Sequence, residues 1–400
     1  MKKTMCELFA GVGGFRLGFE RADKKWKTEW FSQWEPGKTN QWAHKCYVSH
    51  WGDIDENTNK DIAVVDKSTI PNHNLLVGGF PCQDYSVARS LVGSQGINGK
   101  KGVLWWQIRD TLEAKKAPFV LLENVDRLLK SPASQRGRDF GIILSCLAKL
   151  GYNAEWRVIN AAEYGAGQRR RRVFIFAYSN ATKYSKKISS IDAQKIILTD
   201  GFFAKTFPVE KEISIRESDV NIDDLADLSE GYKFEFDNSG YMKEGKVFTA
   251  KTIPILENPI LLGSLLEKNV AEDYYVGDSL SKWEYLKGAK KILRTTKSGH
   301  QYTFSEGPIA FPDNLDAPAR TMLTSESSLN RSTHLIKDPE TNRFRILTPV
   351  EAERIQGFDD NWTDSGMPRK MRYFCMGNAL VVPMITRMAK TLGKIFDEEK

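Results

Sequence analysis

The stretch CELFAGVGGF, residues 6–15, decides the fold of this chain. Residues 5–10 predict a buried strand, the glycines that follow predict a tight turn, and residues 15–21 predict a helix. Further strands are expected at residues 29–34, 75–79, 119–123 and 172–177, and further helices at residues 105–115 and 140–150. Strands that alternate with helices are typical of a parallel sheet covered on both faces. The sequence therefore predicts an α/β fold up to residue 180.

Length and composition favour a globular protein of two domains. The 400 residues exceed the usual size of a single core, and 41% hydrophobic with 27% charged residues is a common globular composition. No apolar run approaches the roughly 18 residues that span a bilayer, and Glu7 and Arg16 interrupt the apolar stretch near the start. We expect a cytoplasmic protein with no membrane partner. Its net charge of +7 is compatible with a nucleic acid partner but does not require one.

The pattern of the chain changes after residue 180. Periodicity weakens, and residues 213–215 and 232–236 suggest irregular β structure. Thr348 followed by Pro349 predicts the start of a helix over residues 349–355, and a last helix is expected from residue 383 onwards. We predict one α/β domain of residues 1–180 that residues 340–400 complete, with a second domain of residues 181–339 inserted.

A cysteine follows the predicted strand at residues 75–79, in the sequence Phe80-Pro81-Cys82-Gln83. A side chain at the carboxyl end of such a strand points into the crevice where open α/β sheets bind ligands. A lone cysteine is more often a small apolar core residue, so its neighbours must decide its role. All five cysteines stand singly without a C-x-x-C pair, which argues against a structural zinc site and against a disulfide framework: Cys6, Cys46, Cys82, Cys146 and Cys375. We predict no metal site.

The first fifty residues predict a pocket for an adenosyl cofactor. The glycine turn lets the backbone approach a ligand closely, and the helix after it offers free N–H groups. Glu35 ends the next predicted strand, where an acidic side chain commonly binds ribose hydroxyls, and Asp53 is a plausible acceptor for an adenine amino group. These residues leave NAD and S-adenosylmethionine both open, although the G-x-G-x-x-G spacing typical of NAD sites is not met.

Two further groups of charged residues face the predicted crevice. Glu123 follows the apolar run 119–122, so it also lies at the carboxyl end of a predicted strand. Its carboxylate and the Cys82 thiol would then face the same crevice as a proton donor and a nucleophile. A run of four arginines follows Gln168; alternation along a strand would place Arg170 and Arg172 on one face and Arg169 and Arg171 on the other. The simpler interpretations are a solvated loop carboxylate and a solvated basic run.

At this point the chain resembles the cytosine-5 methyltransferases of DNA, of the bacterial restriction-modification type. The resemblance rests on blocks that follow one another in the order and spacing of that family. They are residues 9–14, Glu35, Asp53, residues 79–83, residues 123–125, Gln168 with Arg170 and Arg172, Arg320-Thr321, residues 345–349 and 356–358, and residues 377–379.

The resemblance implies a Rossmann-like, S-adenosylmethionine-dependent methyltransferase sheet with a smaller, mostly irregular and β target-recognition domain inserted at residues 181–339. It implies transfer of a methyl group to carbon 5 of a cytosine flipped out of a short duplex sequence, through a covalent Cys82 adduct. The implied catalytic residues are Cys82, Glu123, Arg170 and Arg172. The implied cofactor-binding residues are Phe9, Gly11, Gly13, Gly14, Glu35, Asp53, Ile54, Pro81, Asn378 and Ala379. The implied DNA-binding residues are Gln83, Ser86, Arg169, Arg320 and Thr321.

Several partners and rivals follow from this interpretation. Double-stranded DNA is the expected partner, a cognate restriction endonuclease is allowed as a functional partner, and the protein is expected to be a monomer. Residues 84–102, small and polar, are expected to close over the flipped base. The nearest rival is a tRNA cytosine-5 methyltransferase of the same superfamily. A catalytically silent DNA-binding protein and a nicotinamide oxidoreductase are more distant rivals.

Overall fold

The structure of the chain is a computed structural model that describes residues 1–80, 104–210, 212–220, 231–296 and 298–399. The strands are β1 Thr4–Leu8, β2 Lys27–Ser32, β3 Leu75–Gly79, β4 Phe119–Val125, β5 Tyr152–Asn160, β6 Arg171–Ser179, β7 Ile215–Asp219, β8 Ser239–Lys243, β9 Lys246–Ala250, β10 Lys290–Thr295, β11 Gln301–Glu306, β12 Leu335–Lys337 and β13 Phe344–Ile346. The helices are α1 Gly14–Ala22, α2 Trp42–Trp51, α3 Leu104–Lys115, α4 Arg138–Lys149, α5 Lys183–Ile188, α6 Ala193–Lys195, α7 Phe202–Thr206, α8 Leu280–Lys287, α9 Pro349–Gln356, α10 Arg369–Asn378 and α11 Val382–Glu398. Short 3₁₀ turns lie at Lys67–Thr69, Asp126–Lys130, Ala161–Glu163, Leu262–Leu265, Glu272–Tyr274 and Gly277–Ser279, and a π turn lies at Ile196–Asp200.

A nine-stranded sheet in the order β2-β1-β3-β4-β6-β5-β8-β9-β7 organises the molecule. Strands β2, β1, β3 and β4 are parallel to one another, as predicted. From the β4–β6 pair onwards every neighbouring pair is antiparallel, so the sheet is mixed where the alternation predicted parallel strands. The connection from β5 to β6 is the reason, since residues 161–170 are too few for the crossover that parallel neighbours require.

Apolar cores cover both faces of this sheet. On one face, α3 and α4 pack against β3 and β4 through residues such as Trp105 and Phe140. On the other face, α1, α5, α7 and α11 pack through residues such as Phe15 and Phe202. The central strands are apolar runs because strands buried on both faces expose no side to water. Among the described residues no helix is long and apolar enough to cross a membrane.

The C-terminal segment returns to the first part of the chain. Helix α9 begins as predicted: the Thr348 side chain accepts from the N–H of Glu351, and the Glu351 carboxylate accepts from the N–H of Thr348. Helix α11 packs against α1 in the same core. The turn between α10 and α11 lies beside the glycine turn, because a Cβ added at Gly14 would lie 3.3 Å from Leu380 Cβ.

The strands in the middle of the chain are divided between the nine-stranded sheet and a separate two-stranded hairpin. Strands β7, β8 and β9 extend the main sheet beyond β5, and α5 to α7 pack on its second core. Residues 232–236, expected to be irregular β structure, lie in no strand, and Tyr232 and Phe236 pack instead in the first core. Strands β10 and β11 form a separate hairpin. The domain boundaries at residues 180 and 340 stay a prediction.

Candidate active site

A carboxylate from the end of β4 lies beside a guanidinium from the start of β6, next to the point where β3 ends. Glu123 lies on β4 opposite Gly79, the last residue of β3. Arg172 lies near the start of β6, opposite Val125, and its Nε is 2.8 Å from Glu123 Oε1. The Glu123 and Arg172 side chains are only 12% and 19% exposed, so water screens their charges weakly. This ion pair is therefore a strong, fixed electrostatic feature at the end of β3.

Asn124, the residue after Glu123, fixes the chain where β3 ends. Its Nδ2 donates to the carbonyl oxygen of Phe80 at 3.0 Å in a buried contact, and its side-chain oxygen accepts from the N–H of Val125 at 2.8 Å. Asn124 has no role in the sequence-based prediction, although an amide directly after a predicted catalytic carboxylate was a usable signal. The backbone is thereby held two residues before Cys82.

The predicted site residues after Phe80 lie outside the described residues. They are Pro81, Cys82, Gln83 and Ser86, together with the segment 84–102 that was expected to close over a base. Their predicted roles stay predictions.

The four described cysteines are all buried: Cys6, Cys46, Cys146 and Cys375. Burial raises the pKa of each of these thiols. A buried thiol with a raised pKa is a poor nucleophile, because the thiolate is the reactive form. None of the four is therefore a candidate for nucleophilic chemistry.

The arginine run alternates as predicted. Arg170 and Arg172 line one small pocket with Phe174, Leu380 and Met384. Arg169 and Arg171 are exposed, and Arg171 Nε lies 3.2 Å from Asp126 Oδ2.

Arg170 connects segments that are far apart in the chain. Its guanidinium donates to the carbonyl oxygens of Met322 at 3.2 Å and of Gly377 at 3.0 Å, in contacts that are buried. Burial, and then the charge of Arg172, lowers the pKa of Arg170, while the charge of Glu123 opposes that shift. Arg170 is therefore buried and fixed close enough to the Glu123–Arg172 pair to feel its charges, and its predicted catalytic role stays a prediction.

The residues predicted to bind DNA at positions 320 and 321 have different surroundings. Arg320 is held by Asp313, with Nε 2.5 Å from Oδ1 and Nη2 3.0 Å from Oδ2, and it also donates to the Ser332 carbonyl. Thr321 Oγ1 donates to the carbonyl oxygen of Arg169 at 2.5 Å. The structure thus gives Arg320 an internal partner and places Thr321 beside the arginine run.

The glycine turn after β1 has the backbone that its sequence predicts. Phe9, Gly11 and Gly13 have φ angles of 56°, 58° and 86°. A Cβ added at Gly13 would lie 2.2 Å from Trp51 Cζ3, so only glycine fits there. Helix α1 begins at the next residue and directs its N-terminal N–H groups towards the turn.

Gln33 connects the three predicted parts of the cofactor pocket. Its Oε1 accepts from the N–H of Gly11 at 2.7 Å, and its own N–H donates to the carbonyl oxygen of Thr58 at 2.8 Å. The Thr58 hydroxyl donates to Asp53 Oδ1 at 2.6 Å. The glycine turn, the end of β2 and Asp53 are therefore one connected group. Gln33, the residue directly after β2, was missed as a site residue from the sequence.

Glu35 provides the test of whether an adenosyl cofactor fits this pocket. Its carboxylate is half-buried, and burial raises its pKa, while the charge of Lys38 and the N–H of Ala43 oppose the shift. Its Oε2 is buried, and no described residue donates to it. A buried carboxylate oxygen normally has a donor, so the pocket suits a ligand that brings hydroxyl groups. Ile54, 42% exposed, and the exposed Asn378 flank the predicted pocket at Asp53 and at the C-terminal turn.

The fold is shared with solved methyltransferases. A methyltransferase of Entamoeba histolytica, EhMeth, matches with a TM-score of 0.60 at 16% identity, over 100% of this chain and 99% of that chain. The S. pombe Dnmt2 methyltransferase matches with a TM-score of 0.59 at 15% identity, over 99% and 100% of the two chains. Likeness at this level of identity shows the fold, and it confirms the predicted methyltransferase fold class.

Sequence comparison identifies the family. Residues 3–394 match the family described as C-5 cytosine-specific DNA methylase. The chain is 52% identical to the Type II methyltransferase M.Sau3AI of Staphylococcus aureus, over 98% of this chain and 96% of that protein. It is 26% identical to the Type II methyltransferase M.SsoII of Shigella sonnei, over 98% and 80% respectively. The chain belongs to the C-5 cytosine-specific DNA methylases and is a DNA cytosine-5 methyltransferase, as its motifs predicted.

Proposed function

We propose that this protein methylates carbon 5 of one cytosine in a short duplex DNA sequence and so protects that DNA from a cognate restriction endonuclease. The observation that carries the chemistry is the Glu123–Arg172 ion pair, which lies beside the end of β3. The last residue of β3, Gly79, stands three residues before Cys82 in the sequence. The protective role is supported by the relatives named Type II methyltransferases, of which one shares 52% identity.

Cys82 is the proposed nucleophile. Carbon 5 of cytosine is a weak nucleophile, and addition of the Cys82 thiolate to carbon 6 moves electron density onto carbon 5. Removal of the carbon 5 proton after methyl transfer, followed by departure of the thiolate, restores the aromatic ring and the enzyme. The burial of the four described cysteines supports this assignment, since it leaves Cys82 as the remaining thiol of the chain.

Glu123 is the proposed acid at ring nitrogen 3. It would hold a proton at that nitrogen, so that the electron density pushed in by the thiolate has an acceptor. A Cβ added at Gly79 would lie 3.2 Å from Glu123 Oε2, so this oxygen faces the end of β3. The Asn124 contact to the Phe80 carbonyl supports a fixed distance between the carboxylate and the chain that leads to Cys82.

Arg172 is the proposed electrostatic clamp. Its guanidinium would bind the carbonyl oxygen of the cytosine, where negative charge develops, and its sheltered charge would favour the thiolate of Cys82. Its ion pair with Glu123 fixes the orientation of both side chains before a base arrives. Because carbon 6 is inaccessible inside a duplex, the target base would have to be flipped out, at a cost of a few kcal/mol.

The proposed cofactor is S-adenosylmethionine, which supplies the electrophilic methyl group when bound. The glycine turn at Phe9, Gly11, Gly13 and Gly14 would approach it through backbone N–H groups. The free Glu35 carboxylate oxygen would accept from ribose hydroxyls, and Asp53 would accept from the adenine amino group. The proposed pocket residues also include Ile54, Pro81, Asn378 and Ala379.

Transfer of tritiated methyl groups from S-adenosylmethionine to unmethylated duplex DNA, with tRNA in parallel, tests the proposal. We expect label on carbon 5 of cytosine in duplex DNA only, with loss of activity in Cys82→Ser. Cys146→Ser is the matched control, because Cys146 is a buried thiol on α4, a helix that carries no proposed site residue. Label that enters tRNA alone would refute the DNA assignment and favour the tRNA alternative. Full activity in Cys82→Ser would refute the covalent mechanism.

A further inference from the structure

Strands β10 and β11 form a hairpin that is separate from the nine-stranded sheet. Its residues pair in antiparallel register from Lys290↔Glu306 to Thr295↔Gln301. No further described strand pairs with either edge. A two-stranded ribbon of this kind is not stable on its own without a partner surface, so its faces need an explanation.

Alternation gives this hairpin two unlike faces. On the closed face the charged side chains have partners within the hairpin: the Arg294 guanidinium lies 3.8 Å from the ring centroid of Phe304, and Lys290 Nζ lies 3.8 Å from Glu306 Oε2. The open face consists of residues that are all exposed to solvent: Lys291, Leu293, Thr295, Gln301, Thr303 and Ser305. Leu293, the apolar residue of the open face, is 65% exposed.

The chemistry of the open face suits the edges of base pairs. Lysine, glutamine, threonine and serine side chains provide hydrogen-bond donors and acceptors, and a leucine can contact a thymine methyl group. The open face has no carboxylate, because the only acid within residues 290–306 is Glu306 on the closed face. Lys291 and Arg294 give the hairpin a positive character that matches a polyanion. A two-stranded β-ribbon is also one of the elements that the major groove of B-DNA admits.

Hydrogen bonds join the ends of the hairpin to residues 320–333, the segment that also contacts the arginine run of the candidate active site. Arg331 donates to the carbonyl oxygens of Gly288, at 3.4 Å, and of Gly307, which flank the two strands. Lys287, at the end of α8, donates to the Thr333 carbonyl at 2.6 Å, and Arg320 donates to the same carbonyl at 3.3 Å.

From Arg320 the frame continues to the arginine run. The next residue, Thr321, donates to the carbonyl of Arg169, and the N–H of Arg169 donates to the Ala319 carbonyl at 2.8 Å. The hairpin and the Glu123–Arg172 pair therefore belong to one hydrogen-bonded frame. A frame of this kind suits two surfaces that engage the same molecule at once.

We propose that the open face of the β10–β11 hairpin enters the major groove of the DNA duplex and reads the base pairs of the target site. This inference rests on the proposed function and adds the surface that sets sequence specificity. Gln301 and Thr303 read base edges, while Lys291 contacts backbone phosphate and contributes affinity without sequence preference.

The test uses the full chain and duplexes that contain either the methylated sequence, found by sequencing the product DNA, or versions with one base pair changed. For Gln301→Ala and Thr303→Ala we expect the ratio of kcat/KM between the cognate and changed duplexes to fall about 5- to 100-fold. For Lys291→Ala we expect weaker binding to all duplexes and a dependence of log Kd on log salt that is shallower by about 0.9. The matched controls, Gln194→Ala on α6 and Lys205→Ala on α7, should keep both values.

The outcomes separate this inference from the proposed function. A KM for S-adenosylmethionine that is unchanged in every hairpin variant shows an intact cofactor pocket, so that a loss of discrimination reports on the hairpin. Hairpin variants that keep wild-type discrimination and the wild-type salt dependence within twofold would overturn the inference while wild-type methylation of DNA still stands. Wild-type protein that methylates no duplex would instead overturn the proposed function.

Discussion

Replacing Glu123 by glutamine tests the ion pair at the end of β3. The variant keeps the shape of the side chain and an oxygen that can accept from Arg172, but it cannot hold a proton at ring nitrogen 3 of a cytosine. At 2.8 Å and an effective dielectric of about 20, the attraction between Glu123 and Arg172 is about 6 kcal/mol before the cost of desolvating both groups. The net contribution is smaller, because both side chains are largely removed from water.

The expected loss follows from the role of a positioned proton donor. Such groups contribute about 10²- to 10⁴-fold, so kcat in the Glu123→Gln variant should fall by that factor, or about 3–5 kcal/mol. The Kd for S-adenosylmethionine should change less than threefold, since Glu123 is not among the proposed cofactor residues and the glycine turn and Glu35 follow β1 and β2. Single-turnover methyl transfer to duplex DNA measures the first quantity and calorimetric titration the second.

A double variant makes the prediction sharper. Arg172→Gln alone should cost a similar factor, and the double variant should lose much less than the product of the two single losses, because the residues act as one unit. Glu113→Gln on α3 and Arg171→Gln beside the pair are the matched controls, since both residues are exposed. A Glu123→Gln enzyme within tenfold of wild type, or losses that multiply, would refute this reasoning.

Three further predictions concern groups around the site. Burial raises the pKa of Glu7 to about 8, so the folded state keeps a proton that the unfolded chain loses above its own pKa of about 4.3. The free energy of unfolding should therefore fall as the pH rises between these values, by about 1.4 kcal/mol per pH unit, and urea denaturation at pH 5 and pH 8 should show that Glu7→Gln removes this slope. Gly13→Ala should weaken S-adenosylmethionine binding at least about tenfold, because the φ angle of 86° adds about 1–2 kcal/mol of backbone strain and the new Cβ meets Trp51. Gly151→Ala, with a φ of 81° and open space around it, should show similar strain in thermal unfolding but unchanged binding, and equal binding losses would contradict the steric argument. Arg170→Met leaves two buried carbonyls unpaired and should lower the free energy of unfolding by about 2–5 kcal/mol; an unchanged thermal midpoint with lost activity would show a purely chemical role instead.

The pattern of the sequence predicts the parallel half of the sheet well. Strands β3 and β4 contain short apolar runs that end next to glycines or polar residues, and α1, α3 and α4 lie within a few residues of the predicted bounds. The alternation in the arginine run also predicts which two guanidiniums share a pocket. These features are local, so neighbouring residues in the sequence are enough to reveal them.

The antiparallel half depends on contacts that the sequence pattern does not show. Strand β5 is buried on both faces although it contains Glu155 and Arg157, each 2% exposed. Glu155 accepts from the Tyr184 hydroxyl at 2.9 Å, and Arg157 donates to the carbonyl of Phe207 at 2.8 Å. Partners 29 and 50 residues away make these charges tolerable in the interior, and a period-2 pattern cannot contain that information.

The predicted site divides in the same way. Glu123 and Arg172 are adjacent because β6 runs antiparallel to β4, so the start of β6 lies beside the end of β4; a parallel sheet would have placed the two residues at opposite edges. The guanidinium of Arg320 is held by Asp313, a partner that only the folded chain reveals, and its expected role in DNA binding stays a prediction. Gln33 was missed because its role is to join the glycine turn to Thr58.

Covalent capture by a fluorinated substrate tests the central claim most directly. Duplex DNA with 5-fluorocytosine at the methylated position would be incubated with the protein and S-adenosylmethionine, then denatured and digested for peptide mapping. A fluorine at carbon 5 cannot leave as the proton does, so the reaction should stop at the adduct, with DNA attached to the peptide that contains Cys82. Glu123→Gln should form this adduct about 10²- to 10⁴-fold more slowly. An enzyme that methylates ordinary DNA but forms no adduct with this duplex, or forms one at another residue, would contradict the account.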